Sequence, residues 1–258
     1  MFEQERVIGR LQRRVLTESS MTACFLSGSF GRHADDDYSD IDIALIYAND
    51  AARDAAWNER EDFAKSVMPY VPLKAFDRQH VRPFFYITLF SNGSKLDYRY
   101  ESAESLQPNP WDGQIRILKD SDGWAERYQA ESARLAKPQP AISSSELVEL
   151  DQRFWVMYWD ALRILARGDY DKPFTIYLEL LSFTLPTLLN VLSPGDPTRA
   201  GLISAYYSRD TRATAKHFSQ LMETYLAARQ AIVQRYHLQP MGDQAFESEL
   251  RRLINKID

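Results

Sequence analysis

The sequence predicts an α+β protein: an N-terminal domain on a mixed sheet, residues 1–140, followed by a C-terminal helical bundle, residues 141–258. Three observations support this reading. Short apolar, β-branched runs alternate with helical periodicity through the first half of the chain. An Asn-Gly pair, Asn92-Gly93, lies between two strand-like runs and is the clearest hairpin signal present. After the composition break Lys137-Pro-Gln-Pro-Ala-Ile-Ser-Ser-Ser145, every apolar pattern has a helical period.

The elements follow in order. Val7, Ile8, Leu11, Val15 and Leu16 share one helical face over residues 3–17. Thr22 to Ser27 is a buried strand running into a turn at Gly28, and Asp40 to Tyr47 is a second, Ile-rich strand. Residues 54–67 read as a helix, stopped by Pro69 and Pro72. Phe84 to Phe90 and Lys95 to Tyr100 form the hairpin around Ser91-Asn-Gly-Ser94. Ile115 to Lys119 is a further strand and Trp124 to Leu135 a helix. In the second half, Ser145 is placed to cap a helix from Glu146 to Arg167 that stops at Gly168. Another helix starts near Pro173 and kinks at Pro186, and two more cover about 211–236 and 243–257. The aromatic cluster Phe154, Trp155, Tyr158 and Trp159 recurs at helical spacing and reads mainly as bundle core, part of it available to line an acceptor pocket.

Composition removes several function classes. The strongest apolar segment, Phe174 to Leu192, contains Glu179 and Pro186, so the expectation is a buried helix and no membrane span. The first residues lack a signal-peptide layout, and a single cysteine, Cys24, suits a reducing compartment; the expected location is cytoplasmic. Four scattered histidines have no zinc-ligand spacing. A net charge of -5 argues against a nucleic-acid binder or a polymerase, which needs a basic track.

The chemistry concentrates in Gly28-Ser-Phe-Gly-Arg-His-Ala-Asp-Asp-Asp-Tyr-Ser-Asp-Ile-Asp-Ile43. Gly28 lets the backbone turn tightly and approach a ligand. A short helix beginning near Ser29 would turn free N–H groups and a hydroxyl toward an anion. Asp40 and Asp42, at i and i+2 on a strand, project from one face with Cα atoms roughly 6–7 Å apart. That spacing suits shared hard cations, and magnesium takes one or two carboxylates and completes its shell with water and substrate phosphates. Ile41 and Ile43 point the other way, into a core. In the hairpin, Lys95, Asp97 and Arg99 share one face and Leu96, Tyr98 and Tyr100 the other. If that strand lies beside the first, Asp97 completes a three-carboxylate cluster, as metal ligand or as base for an acceptor hydroxyl. Arg32 is a candidate phosphate contact, balanced against an ordinary exposed arginine. Asp35, Asp36 and Asp37 read as a solvated loop.

Gly-Ser, ten intervening residues, Asp-x-Asp in an apolar strand and a later strand acid together resemble the polymerase-β-type nucleotidyltransferase superfamily. Within it the chain is most similar to the antibiotic nucleotidyltransferases, the lincosamide group in particular. That closer similarity rests on Thr22-Ala-Cys-Phe-Leu-Ser-Gly-Ser-Phe30 with Tyr38-Ser-Asp-Ile41, on Leu165-Ala-Arg-Gly-Asp-Tyr170, and on Gln234-Arg-Tyr-His-Leu238. Members of the lincosamide group can carry Glu where this chain has Asp42. The resemblance implies a polymerase-β-like catalytic domain and transfer of AMP from ATP to a hydroxyl of a small molecule, a lincosamide- or aminoglycoside-like antibiotic, with release of pyrophosphate. It also implies two magnesium ions. Gly28, Ser29, Arg32 and Ser39 would then face the nucleotide, while Asp40, Asp42 and Asp97 would hold metal and act in catalysis. The helical domain would bind the acceptor or support a homodimer. Two alternatives keep the same fold: an antitoxin-type enzyme that AMPylates a protein, and a relative that binds nucleotide without turnover. The second should have lost a carboxylate, and all three are present here.

Overall fold

The computed structural model describes residues 3–72, 83–90, 92–192, 195–207, 210–238 and the short pieces 247–248, 251–252 and 254–255. The chain divides into two compact units, Met1–Lys137 with Phe218–Asp258, and Pro138–His217. The α+β layout expected from the sequence is present: a mixed sheet in the first half, helices in the second.

The first unit is organised by a six-stranded sheet in the order β3-β4-β5-β2-β1-β6. Its strands are β1 (Met21–Leu26), β2 (Ile41–Tyr47), β3 (Tyr70–Pro72), β4 (Phe85–Phe90), β5 (Lys95–Ser102) and β6 (Arg116–Asp120). Among the described residues only β2 and β5 pair in parallel, with Asp42 opposite Asp97 and Ile43 opposite Tyr98. The hairpin closes as its Asn-Gly tip demands: Gly93 takes a positive φ of 91°, its N–H donates to Phe90 O, and the Asn92 side chain accepts from Ser94 N–H.

Strand alternation gives the sheet two covered faces. Ile41, Ile43, Leu45, Leu96, Tyr98 and Tyr100 enter a large core with Val7, Ile8, Leu11 and Val15 of α1 (Gln4–Leu16) and with Trp57, Phe63 and Val67 of α3 (Asp50–Asn58) and α4 (Arg60–Val67). Ala23, Phe25, Ala44 and Ile46 face the other way, against Ala125 and Tyr128 of α5 (Trp124–Ser132). Asp42 belongs to this second face, beyond the end of its smaller core.

The structure departs from expectation at several ends. Asp40 lies just before β2, whose first residue is Ile41. The helix expected over 54–67 is two helices, the first capped by the Asn49 side chain, which accepts from Ala52 N–H at 2.9 Å. β3 occupies the stretch read as a proline break; Pro can sit in a sheet where its missing N–H is not needed, as in this edge strand.

In the second unit, α6 (Ser144–Leu165) is capped by Ser143 and not by Ser145. Of the three consecutive serines only Ser143 has a glutamate three residues on, and the capping box forms with Glu146. The helix ends at Leu165, and Gly168 adopts φ 83° in the turn that follows. Then come α7 (Asp171–Glu179), a widened turn over Leu180–Thr184, and α8 (Leu185–Val191). In that wide turn the Leu185 N–H reaches Leu180 O, five residues back, immediately before Pro186, which cannot donate at all. The kink expected at the proline is thus absorbed as a π-turn. A further helix, α9 (Pro197–Tyr206), capped by Asp196, went unseen in the sequence. α10 runs from Thr211 to Tyr236, its residues from Phe218 onward belonging to the first unit, and the helix expected over 243–257 falls largely outside the described residues.

Two expectations about burial fail in the helical unit. Asp171–Val191 is apolar and long enough by length and composition to cross a membrane, yet only 6% of its apolar window is buried. Trp155, Tyr158 and Trp159 are exposed rather than core. Phe154 and Tyr158 instead line an apolar cavity of about 170 Å³ with Tyr177, Leu181, Leu188 and Tyr206.

Candidate active site

The site grows from the junction of β1 with a one-turn helix, α2 (Gly28–Gly31). Gly28 has φ 61°, and a Cβ there would stand 2.1 Å from Asp42 Oδ2 and 3.2 Å from its carboxyl carbon. Only glycine satisfies both the left-handed backbone and this approach. The Ser27 N–H donates to Asp42 O at 2.9 Å, locking the turn to the carboxylate strand. Gly31 is required for a second reason: its Cβ would meet the carbonyls of Leu26 and Gln114, each at 2.8 Å, so α2 lies flush on its neighbours.

The acidic loop between α2 and β2 is held from behind. The buried amide of Gln4 donates to Asp37 O at 2.9 Å and to Ser39 O at 3.2 Å. Asp35, Asp36 and Asp37 are exposed, as read from the sequence. Hydrogen bonds from the Tyr38 N–H and from Ser39 lower the pKa of Asp36. The Ser39 hydroxyl accepts from the Asp36 N–H and donates to Asp36 Oδ1, both at 3.0 Å, and so closes this turn. The loop therefore works as a fixed spacer that delivers Asp40 and Asp42 beside Gly28.

Asp40, Asp42 and Asp97 come together, each offering a carboxylate oxygen within 4.8 Å of the others. Asp97 is nearly buried, Asp42 half-buried and Asp40 exposed. Burial pushes the Asp42 carboxyl above the usual carboxylate range, the charges of Asp40 and Asp97 push it further, and Lys95 and Arg99 act against them. Lys95 bridges the other two: its ammonium donates to Asp97 Oδ2 at 2.7 Å and to Asp40 Oδ2 at 3.0 Å. Burial alone would lower the Lys95 pKa, but its hydrogen bonds to Asp97 and Asp40 outweigh that and leave it raised.

The group suits a divalent cation on three counts. Its donors are hard carboxylate oxygens, the absent Cβ at position 28 leaves Asp42 its place, and an ammonium already stands between two of the three acids. A cleft of about 490 Å³ opens beside it, lined by Gly28, Arg32, Asp42, Asp97, Arg99 and Trp111 among others. Ser29 sits one residue along from this lining, on α2.

Arg99 was only a face-mate of Asp97 in the sequence. In the structure its guanidinium donates to Asp112 at 2.9 Å, and the Tyr128 hydroxyl donates to the same oxygen at 2.8 Å. Asp112 is buried, so the pair pins a positive charge at the cleft wall. Neither Gln4 nor Asp112 carried a sequence signal. Each acts through a partner distant in the chain, which periodicity does not reveal.

The family model described as streptomycin adenylyltransferase matches residues 3–175, most of the first unit and the start of the helical half. No curated protein matches the chain.

Proposed function

The chain belongs to the streptomycin adenylyltransferase family, within the nucleotidyltransferase superfamily, and on that premise we propose that its acidic cleft transfers AMP from magnesium-ATP to a hydroxyl of an aminoglycoside-like small molecule. The superfamily reading of the sequence is borne out; the lincosamide branch receives no support from the matched family. The observation that carries the proposal is the convergence of Asp40, Asp42 and Asp97 within 4.8 Å, beside a glycine whose side of the site admits no Cβ.

Asp40, Asp42 and Asp97 would hold the magnesium. When bound, that metal supplies neutralisation of the triphosphate charge and a lowered pKa for a coordinated hydroxyl. The chain's own residues do the rest by positioning. The turn at Gly28-Ser29 receives a phosphate on N–H groups that a first helical turn leaves without carbonyl partners. Arg32 and Arg99 put two permanent positive charges along the cleft that the triphosphate enters. Arg99 is pre-oriented by Asp112 and does not have to be organised during the reaction. Asp97 lies where it can ligate or accept the proton of an acceptor hydroxyl. We assign acceptor selection to the helical half, residues 141–258, whose exposed aromatic side chains suit a sugar-rich or otherwise amphipathic ligand. A cytoplasmic location accords with an acceptor that has entered the cell.

The test is release of pyrophosphate from ATP and magnesium across a panel of aminoglycosides and lincosamides, with a cell lysate as protein acceptor. Turnover with an aminoglycoside that disappears in Asp42→Asn supports the reading. Label appearing on a protein and on no small molecule would replace the acceptor; full activity in Asp42→Asn would remove the site.

A further inference from the structure

We infer that Lys95 is a built-in counter-cation of the metal-free site, whose ammonium a divalent ion displaces on binding; the inference rests on the metal role proposed above for the three acids. Three carboxylates whose oxygens lie within 4.8 Å repel one another strongly when nothing stands between them. In this chain something does. Lys95 is the first residue of β5, and its side chain reaches along the acidic face to hold Asp97 at 2.7 Å and Asp40 at 3.0 Å.

The same oxygens cannot serve both cations. An ion bound through those oxygens of Asp40 and Asp97 takes the places that the ammonium occupies, and an ion bound through any oxygen of the two acids adds two positive charges a few ångströms from it. The residue is suited to leave. A lysine is a point charge on a flexible four-carbon stem, without the planar fork that fixes an arginine to a carboxylate. Its side chain is 36% exposed, so an outward path to solvent exists. Asp97, at 12%, stays in place as the ammonium departs. Arg99, two residues on, is the contrasting case. It is tied to buried Asp112 away from the three acids, and keeps its charge in the cleft whichever cation holds them.

Lys95 therefore sets the metal affinity of the empty enzyme. It keeps the acids arranged before substrate arrives and makes a bare metal ion compete for its seat.

The experiment titrates full-length protein with manganese at pH 8, following free ion by electron paramagnetic resonance and melting temperature in parallel. Lys95→Met should bind manganese about tenfold more tightly than wild type, the effect of removing roughly 1.4 kcal/mol of competition. It should also melt lower without metal and gain more on adding it. Lys95→Arg, which keeps the charge, should bind no more tightly than wild type. Lys95→Gln, which retains a donor for both carboxylates, repeats the test should the methionine variant not fold. Manganese affinity unchanged or weakened in the neutral variants overturns the inference while leaving the metal site standing. Wild-type binding that survives Asp42→Asn undiminished would instead overturn the metal site itself.

Discussion

Gly28→Ala isolates the closest contact in the site. Two separable costs follow from its geometry. The first is conformational: at φ 61° an alanine strains the backbone by about 1–2 kcal/mol. For a protein of this size that corresponds to a melting point lower by roughly 2–8 °C. The second is the collision. A methyl carbon 2.1 Å from Asp42 Oδ2 must drive that carboxylate back by roughly 1.3 Å or more to reach ordinary contact, and a misplacement of about 1 Å already costs about a hundredfold in rate. Gly123→Ala separates the two, since Gly123 is also left-handed at φ 67° but its Cβ would meet only the flexible guanidinium of Arg127, at 3.3 Å. The assay is pyrophosphate release at saturating magnesium-ATP, with melting followed in parallel. Both variants should melt a few degrees low; only Gly28→Ala should lose about two orders of magnitude in kcat. Activity within about threefold of wild type in a folded Gly28→Ala protein would refute the reasoning, as would an equal loss in Gly123→Ala.

Other consequences can be checked on the same protein. Because the folded-state pKa of Asp42 is raised, the stability tied to its protonation is complete below the unfolded value and is lost as pH rises through the folded one. Metal-free Asp42→Asn should accordingly melt above wild type by a margin that widens from pH 4.5 to 7.5; a margin that shrinks contradicts the assignment. Asp112→Ala strips the partner from a largely buried Arg99 and should cost about 3–5 kcal/mol in urea unfolding, with Asp112→Asn costing less. Cys24 is fully buried and burial pushes its thiol pKa up, so a thiol reagent should label it only as fast as the protein unfolds.

Much of the catalytic half was legible because local rules and the fold agree there. The Ile41/Ile43 alternation declared which side of β2 carries acids, and Asn92-Gly93 announced the hairpin that brings Asp97. Other features depend on contacts the sequence does not advertise. Asp40 stands off the end of β2 because the loop behind it is stapled by Gln4, far away in the chain. Ser39 was read as a nucleotide contact beside Asp40, and the sequence did not show that its hydroxyl also closes the loop turn with Asp36. Lys95 was visible as a face-mate of Asp97, yet its second bond, to Asp40, exists only once β2 and β5 lie side by side. In the helical half the period was read correctly and the burial was not. Periodicity tells which residues share a face, and says nothing of whether a neighbour covers it.

The parallel register of β2 and β5 has a consequence for the fidelity of assembly. A strand's side chains alternate, so a slip of one position would carry Asp97 into the apolar layer and swing Tyr98 out beside Asp42. The core residues Leu96, Tyr98 and Tyr100 thus act as the key that admits β5 in one alignment only. Chains that misalign would carry buried charge and expose aromatic rings, and would be unstable rather than folded and inactive. The acids inherit their alignment from residues that never approach the substrate, and conservative repacking of that layer can proceed without disturbing the chemistry on the other side of the sheet.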